Sequence, residues 1–171
     1  EYGKSVLIVS GNSSVKSKRV DQIIELLTDY NINIDIYTNV SSNPTVHQIN
    51  KIVEIGKNNN SEIIIGIGGG SAIDAAKVAA IVIKQGGVSE DYLLGIKKLG
   101  NDALPLIAIP TTAGTGSELS KGAIISWPEK SIKGGIRGDA VFPTIAIVDP
   151  TLTLTLPIEQ VKITGFDCLA H

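Results

Sequence analysis

Across 171 residues the sequence has one cysteine, Cys168, and no methionine. A lone cysteine excludes an intrachain disulfide and suits a reducing compartment. Aromatic residues make up only 4% of the chain and the net charge is −2. There is thus no basic surface to draw nucleic acid or an anionic membrane. No apolar run reaches the ~18 residues that span a bilayer. Glu1-Tyr2-Gly3-Lys4 leads straight into an apolar strand pattern, so no signal peptide is expected and a cytoplasmic location is. The absent initiator methionine and a helical pattern still running at His171 read as cut ends, and the chain is expected to be a piece of something longer.

What is present is aliphatic and glycine-rich: 43% of residues are hydrophobic and 18 are glycine. That profile fits a parallel α/β domain, whose central strands are buried on both faces. The stretch that organises the chain is 62–77, EIIIGIGGGSAIDAAK. Its apolar run reads as a buried strand, Gly68-Gly69-Gly70 as a side-chain-free turn, and Ser71 as the opening of a helix that is apolar on nearly every side. Such a turn offers backbone N–H groups and the positive end of a helix dipole to a phosphate, and it is equally compatible with a plain tight turn. It is neither G-x-G-x-x-G nor a P-loop. Ser71 and Asp74 match a capping box.

Before this stretch, the pattern predicts a strand over 5–10, a turn at Gly11-Asn12-Ser13-Ser14, an amphipathic helix over 15–30, a strand over 34–37 and a helix over 45–57. After it come a helix over 71–85, a strand over 104–110, a polar glycine-rich loop over 111–118, a hairpin from 123–126 and 132–136, a strand over 144–148 and a helix from Pro157 onward. Alternating strands and helices predict a right-handed parallel sheet covered on both faces. Ligands of such sheets bind beyond the carboxyl ends of the strands. Three polar loops fall there: 11–14, 68–71 and 111–118, the last with the hydroxyls of Thr111, Thr112 and Thr115. Asp167 and His171, four apart, share one helix face. They suit either an ordinary surface pair or two ligands of a divalent metal. Cys168 is rotated off that face and is expected in the core, and His47 is expected in solvent.

IGIGGGSAIDAAK, IPTTAGTGSE, AIVDP and GFDCLAH, in this order, together with Asn43-Pro44-Thr45 as an NPT element, resemble the iron-containing (group III) alcohol dehydrogenases over essentially the whole chain. The resemblance implies a Rossmann-like, dehydroquinate synthase-like nucleotide domain over 1–156 and the first helix of an all-helical domain over 157–171. It implies a pyrophosphate cradle at Gly69, Gly70 and Ser71. Thr111, Thr112 and Thr115 would contact the phosphates and the nicotinamide side, and Asn43 and Lys133 the nucleotide. Asp167 and His171 match the first two of four metal ligands, with Fe²⁺ expected and Zn²⁺ the alternative. Asp74 matches an acidic residue of the glycine-loop helix and is kept as a cap. The implied reaction is hydride transfer between an alcohol or aldehyde and NAD or NADP, with no side chain here assigned to proton transfer.

One departure bears on the cofactor. Many NAD-using relatives carry Asp after the first strand, where this chain has Gly11, followed by Asn12 and Ser13. An Asp there would repel a 2′-phosphate by roughly 1 kcal/mol in water and about 4 kcal/mol at an effective dielectric of 20. Its absence predicts tolerance of, or preference for, NADP(H), with Gly11, Asn12 and Ser13 as cofactor-binding positions. Three other readings remain open: a glycerol(-1-phosphate) dehydrogenase, a dehydroquinate synthase-like enzyme, or nucleotide binding without turnover. A homo-oligomer also remains open.

Overall fold

The computed structural model describes residues 2–170 and has a five-stranded parallel sheet at its centre. Its strands are β1 (Ser5–Ser10), β2 (Asn33–Tyr37), β3 (Ile63–Gly68), β4 (Leu106–Pro110) and, introduced below, a last one at the edge. The helices that cover it are α1 (Asn12–Lys16), α2 (Arg19–Thr28), α3 (Val46–Asn58), α4 (Gly70–Gln85) and the short α5 (Ser89–Leu93). An antiparallel hairpin, β5 (Gly122–Trp127) and β6 (Ile132–Arg137), stands apart from the sheet. The two-residue strand β7 (Ile145–Ala146) completes the sheet, and α6 (Ile158–Ala170) follows. The strand order is β2-β1-β3-β4-β7, with every neighbouring pair parallel.

Alternation along the central strands feeds two cores. Leu7 and Val9 of β1 and Ile64 of β3 pack with α3, α4 and the hairpin residues Ala123 and Ile125. Val6 and Ile8 of β1 and Ile63, Ile65 and Ile67 of β3 pack under Val20, Ile23, Ile24 and Leu27 of α2. Both faces of β1 and β3 are therefore buried, as their unbroken apolar runs require. Each fully buried isoleucine or valine contributes about 1.5–3 kcal/mol. On the α4 side β3 presents Gly66, where a Cβ would come within 2.9 Å of Ala76 Cβ. The helix lies so close to the strand that only hydrogen fits between them.

The structure revises several expectations. The helix expected over 15–30 is two helices, broken at Lys18, which adopts the left-handed conformation at φ 57°. The cause is local: Ser17 Oγ donates to Ser13 O at 2.9 Å, and Lys18 N–H closes the turn on Val15 O at 2.9 Å. The supposed turn over 11–14 is the start of α1, with Gly11 in the N-cap position. The strand expected over 144–148 pairs only at β7, and α5 is too short to leave a periodic signal. Thr45, by contrast, caps α3 through a full capping box with Gln48, at 3.3 and 3.2 Å. Among the described residues no helix is long and apolar enough to cross a membrane.

Candidate functional site

Beyond the carboxyl end of β3 lies a cleft of about 930 Å³. One wall is the opening of α4, with Gly70, Ser71 and Asp74; another is the loop at Ser42, Asn43 and Pro44. Thr115 and Ser117 lie across from the glycine turn, the hairpin supplies Ile124, Lys133 and Arg137, and Asp167 of α6 lines the same cleft. A cleft of this size accepts a ligand of cofactor dimensions.

The α4 terminus is built differently from the capping box its sequence suggests. Gly69 occupies the N-cap position and no side chain caps the helix. Ser71 Oγ donates instead to Ser42 O at 2.5 Å, which ties the glycine turn to the Asn43 loop. Asp74 is not a cap either: its Oδ2 accepts the Ile124 N–H at 2.8 Å and so holds strand β5. Its Oδ1 is buried, with the Ser117 hydroxyl the nearby donor that acts on this carboxyl. Burial raises the Asp74 pKa, opposed by the Ile124 N–H, the Lys77 charge and the Ser117 hydroxyl. The first recorded backbone donors of the turn are Ala72 and Ile73, both onto Gly69 O. The amides before them lie in the helix's unpaired first turn, at its positive end.

The absence of a side chain at Gly70 lets the Thr115 and Ser117 hydroxyls approach the glycine turn closely. A Cβ on Gly70 would sit 2.7 Å from Thr115 Oγ1 and 2.9 Å from Ser117 Oγ. Those hydroxyls face the turn because Thr115 Oγ1 accepts the Ser117 N–H at 3.3 Å. The hairpin closes over this region. Ser126 N–H donates to Pro44 O at 2.9 Å, and Lys133 Nζ donates to Asn43 Oδ1 at 2.9 Å. Lys133 is thereby held at the wall of the cleft beside the Asn43 loop.

Of the residues expected from sequence, Asn43, Gly70, Ser71, Thr115, Lys133 and Asp167 line this one cleft. Gly69 adjoins it, with Thr112 Oγ1 only 3.4 Å from where a Gly69 Cβ would be. Thr111 is buried and spends its N–H on Gly68 O at 2.9 Å. Gly11, Asn12 and Ser13 lie at the end of the neighbouring strand β1, outside the cleft lining. There, Ser14 Oγ reaches Ile67 O at 3.3 Å, which joins the first loop to the glycine turn. His171 falls outside the described residues, and among the described residues no three His, Cys, Asp or Glu side chains converge as a metal site. Cys168 is exposed rather than in the core, because α6 buries only Thr164. His47 is in solvent and paired with Glu129 at 2.9 Å.

Sequence reasoning missed Ser42, Ser117, Ser120, Arg137 and above all Lys77. The last had a signal: a basic residue in the middle of a mostly apolar helix, flanked by Ala75, Ala76, Val78 and Ala79. Gly114 also has a role other than approach to a nucleotide. A Cβ there would lie 2.9 Å from Thr164 Cβ, so the loop backbone is pressed against α6, one turn before Asp167.

A family model described as iron-containing alcohol dehydrogenase matches residues 1–150 of this chain. Alcohol dehydrogenase 4 of Schizosaccharomyces pombe is 39% identical over 168 residues, which is 98% of this chain and 40% of that protein. The structure of NADH-dependent butanol dehydrogenase A from Thermotoga maritima superimposes with a TM-score of 0.92 at 31% identity, covering 98% of this chain and 42% of that one. Sulfoacetaldehyde reductase from Bifidobacterium kashiwanohense, solved in complex with NAD+, gives a TM-score of 0.87 at 32% identity, covering 97% of this chain and 43% of that one. The chain thus spans about two-fifths of the length of these relatives.

Proposed function

This chain belongs to the iron-containing alcohol dehydrogenase family, and on that premise we propose that it carries the cofactor half of a metal-dependent alcohol dehydrogenase or aldehyde reductase. The observation that carries the reading is the single cleft shared by Gly70, Ser71, Thr115, Lys133 and Asp167. On this reading the α4 terminus serves as the phosphate cradle and Asp167, which lines the same cleft, as a metal ligand.

The residues present suit a nicotinamide dinucleotide. The α4 terminus receives the pyrophosphate, with the Thr115 and Ser117 hydroxyls, which Gly70 allows close to the turn, beside it. Lys133, already fixed on Asn43, supplies positive charge. Thr111 and Thr112 border the cradle, and Gly11 to Ser13 take the adenosine end. The absence of a carboxylate at Gly11 favours NADP(H), while NAD(H) remains within reach of the same cradle. For the metal, Asp167 is the ligand that α6 turns toward the cleft, and His171 is its sequence partner. Fe²⁺ suits their mixed oxygen and nitrogen donors, with Zn²⁺ as the alternative. When both groups are bound, the metal acts as Lewis acid on the substrate oxygen and the nicotinamide exchanges the hydride. The chain's own residues orient and bind. No side chain here is placed to shuttle a proton.

Reduction of NADP+ and NAD+ by a panel of short- and long-chain primary alcohols, with Fe²⁺, Zn²⁺ or a chelator, tests this on a protein of the relatives' full length that carries this chain. The 171 residues alone are expected to be inactive, and alcohol oxidation by them would contradict the reading. From the longer protein, metal-dependent turnover with NADP+ at or above the NAD+ rate is expected. Turnover confined to polyols or sugar phosphates with Zn²⁺ would instead favour a glycerol(-1-phosphate) dehydrogenase or dehydroquinate synthase-like enzyme.

A further inference from the structure

Lys77 is 1% exposed, the largest fully buried side chain among the described residues. Its ammonium makes three hydrogen bonds, to Ser120 O at 2.8 Å, Ser120 Oγ at 3.0 Å and Gly122 O at 2.8 Å. All three donors of the charged form are used, and all go to uncharged oxygens of one short segment. One turn earlier on the same face of α4, Asp74 takes the Ile124 N–H at 2.8 Å. Two ionisable side chains thus grip residues 120–124 together. That segment joins the Thr115–Ser117 side of the cleft to β5, whose partner strand β6 holds Lys133 on Asn43.

We propose that Lys77 is a positioning residue: through Ser120 and Gly122 it fixes the hairpin against the glycine-loop helix, and so sets the affinity of the cleft for a nicotinamide dinucleotide. The inference rests on the cofactor reading above. A buried ammonium is costly, and an aliphatic side chain of similar length would pack there with less desolvation. What it supplies is directional: carbonyls of a non-repetitive segment are pinned from the helix that carries the phosphate cradle.

The charge state gives the idea a signature. Burial lowers the Lys77 pKa to about 8, against the charges of Asp74 on its own helix and Glu118 in the adjoining loop, which hold it up. Lys121, next to the gripped residues, is taken up by Asp139 at 2.7 Å. Losing a proton leaves two donors for three acceptors, which loosens the grip. A cofactor 2′-phosphate is fully ionised above neutral pH and adds no step in that window.

The test is fluorescence titration of the full chain with NADPH and NADH in parallel, from pH 7 to 9.5, for the unaltered chain, Lys77→Met and Lys77→Arg. The unaltered chain is expected to bind about 2- to 10-fold more weakly at the top of that range, the loss of one hydrogen bond. Lys77→Met is expected to bind about 10-fold more weakly at pH 7, with a flat pH profile and an undiminished melting temperature. Lys77→Arg, which keeps the donors, recovers part of the affinity. If Lys77→Met does not fold, the pH step of the unaltered chain and the Arg variant decide. Equal affinity and an identical pH step in Lys77→Met overturn the proposal alone. A flat profile in the unaltered chain overturns it too. No binding of either dinucleotide by the unaltered chain overturns the cofactor reading, and this inference with it.

Discussion

Helices α4 and α6 carry the two halves of the proposed chemistry and are built in opposite ways. In α4 every residue from Ala72 to Val82 is buried. In α6 only Thr164 is buried, and Phe166 and Leu169 stand 73% and 84% exposed. Helix α4 is held by strand β3, α3 and the hairpin strand β5. Asp167 lies on the exposed α6, which comes close to the 111–118 loop where Thr164 meets Gly114. The lesson is one of support. The glycine turn is fixed by the buried core around α4, whereas α6 buries only Thr164 of its own residues.

The largest test of that contrast is core truncation. Ile81→Ala in α4, which is fully buried, should cost about 2–5 kcal/mol. Leu169→Ser in α6 should change stability by less than ~0.5 kcal/mol. Equal costs in a denaturant titration would erase the distinction between the two helices. A second test acts at the cofactor's far end. Gly11→Asp should lower the NADPH-to-NADH affinity ratio between ~5-fold and nearly a thousandfold, from the repulsion of like charges. Val40 O lies only 3.2 Å from the added Cβ, so both affinities should fall somewhat while their ratio shifts. An unchanged ratio would remove Gly11 from cofactor selection.

The smallest effect expected is in pH dependence. Lys77 has a folded pKa of about 8, below its ordinary value of 10.5. Between those values the unfolded chain binds more protons, so stability should rise as pH climbs from about 8 toward 10.5. Lys77→Met should flatten that rise in a series of urea titrations. Nucleotide affinity and stability would then move in opposite directions with pH, a behaviour the α6 side has no buried group to produce.

The same contrast governs what the sequence made legible. Buried parallel strands write continuous apolar runs, and β1, β3, β4 and α4 were readable from them. The three loops at the strand ends could be placed on one rim because parallel topology puts them there. Less legible were features decided by a few local hydrogen bonds. Ser17 and Lys18 break a helix whose apolar pattern runs straight through the break. Ser71 and Asp74 have the spacing of a capping box, yet Ser42 and Ile124 compete for their side chains and win. Cys168 has the polarity of a core residue, but no neighbouring element covers it. Lys77 was visible as an anomaly, and only the hairpin's return across α4 gives it a role.

The central claim is that the turn at Gly70 is a dinucleotide cradle. Calorimetric titration of NADPH into the full chain and into Gly70→Val tests it most directly. The added side chain would collide with Thr115 Oγ1 and Ser117 Oγ, 2.7 and 2.9 Å from its Cβ. The account predicts one site in the unaltered chain, weakened at least ~10-fold in the variant, as the 1–3 kcal/mol of local overpacking implies. Equal affinity in the two proteins would contradict it.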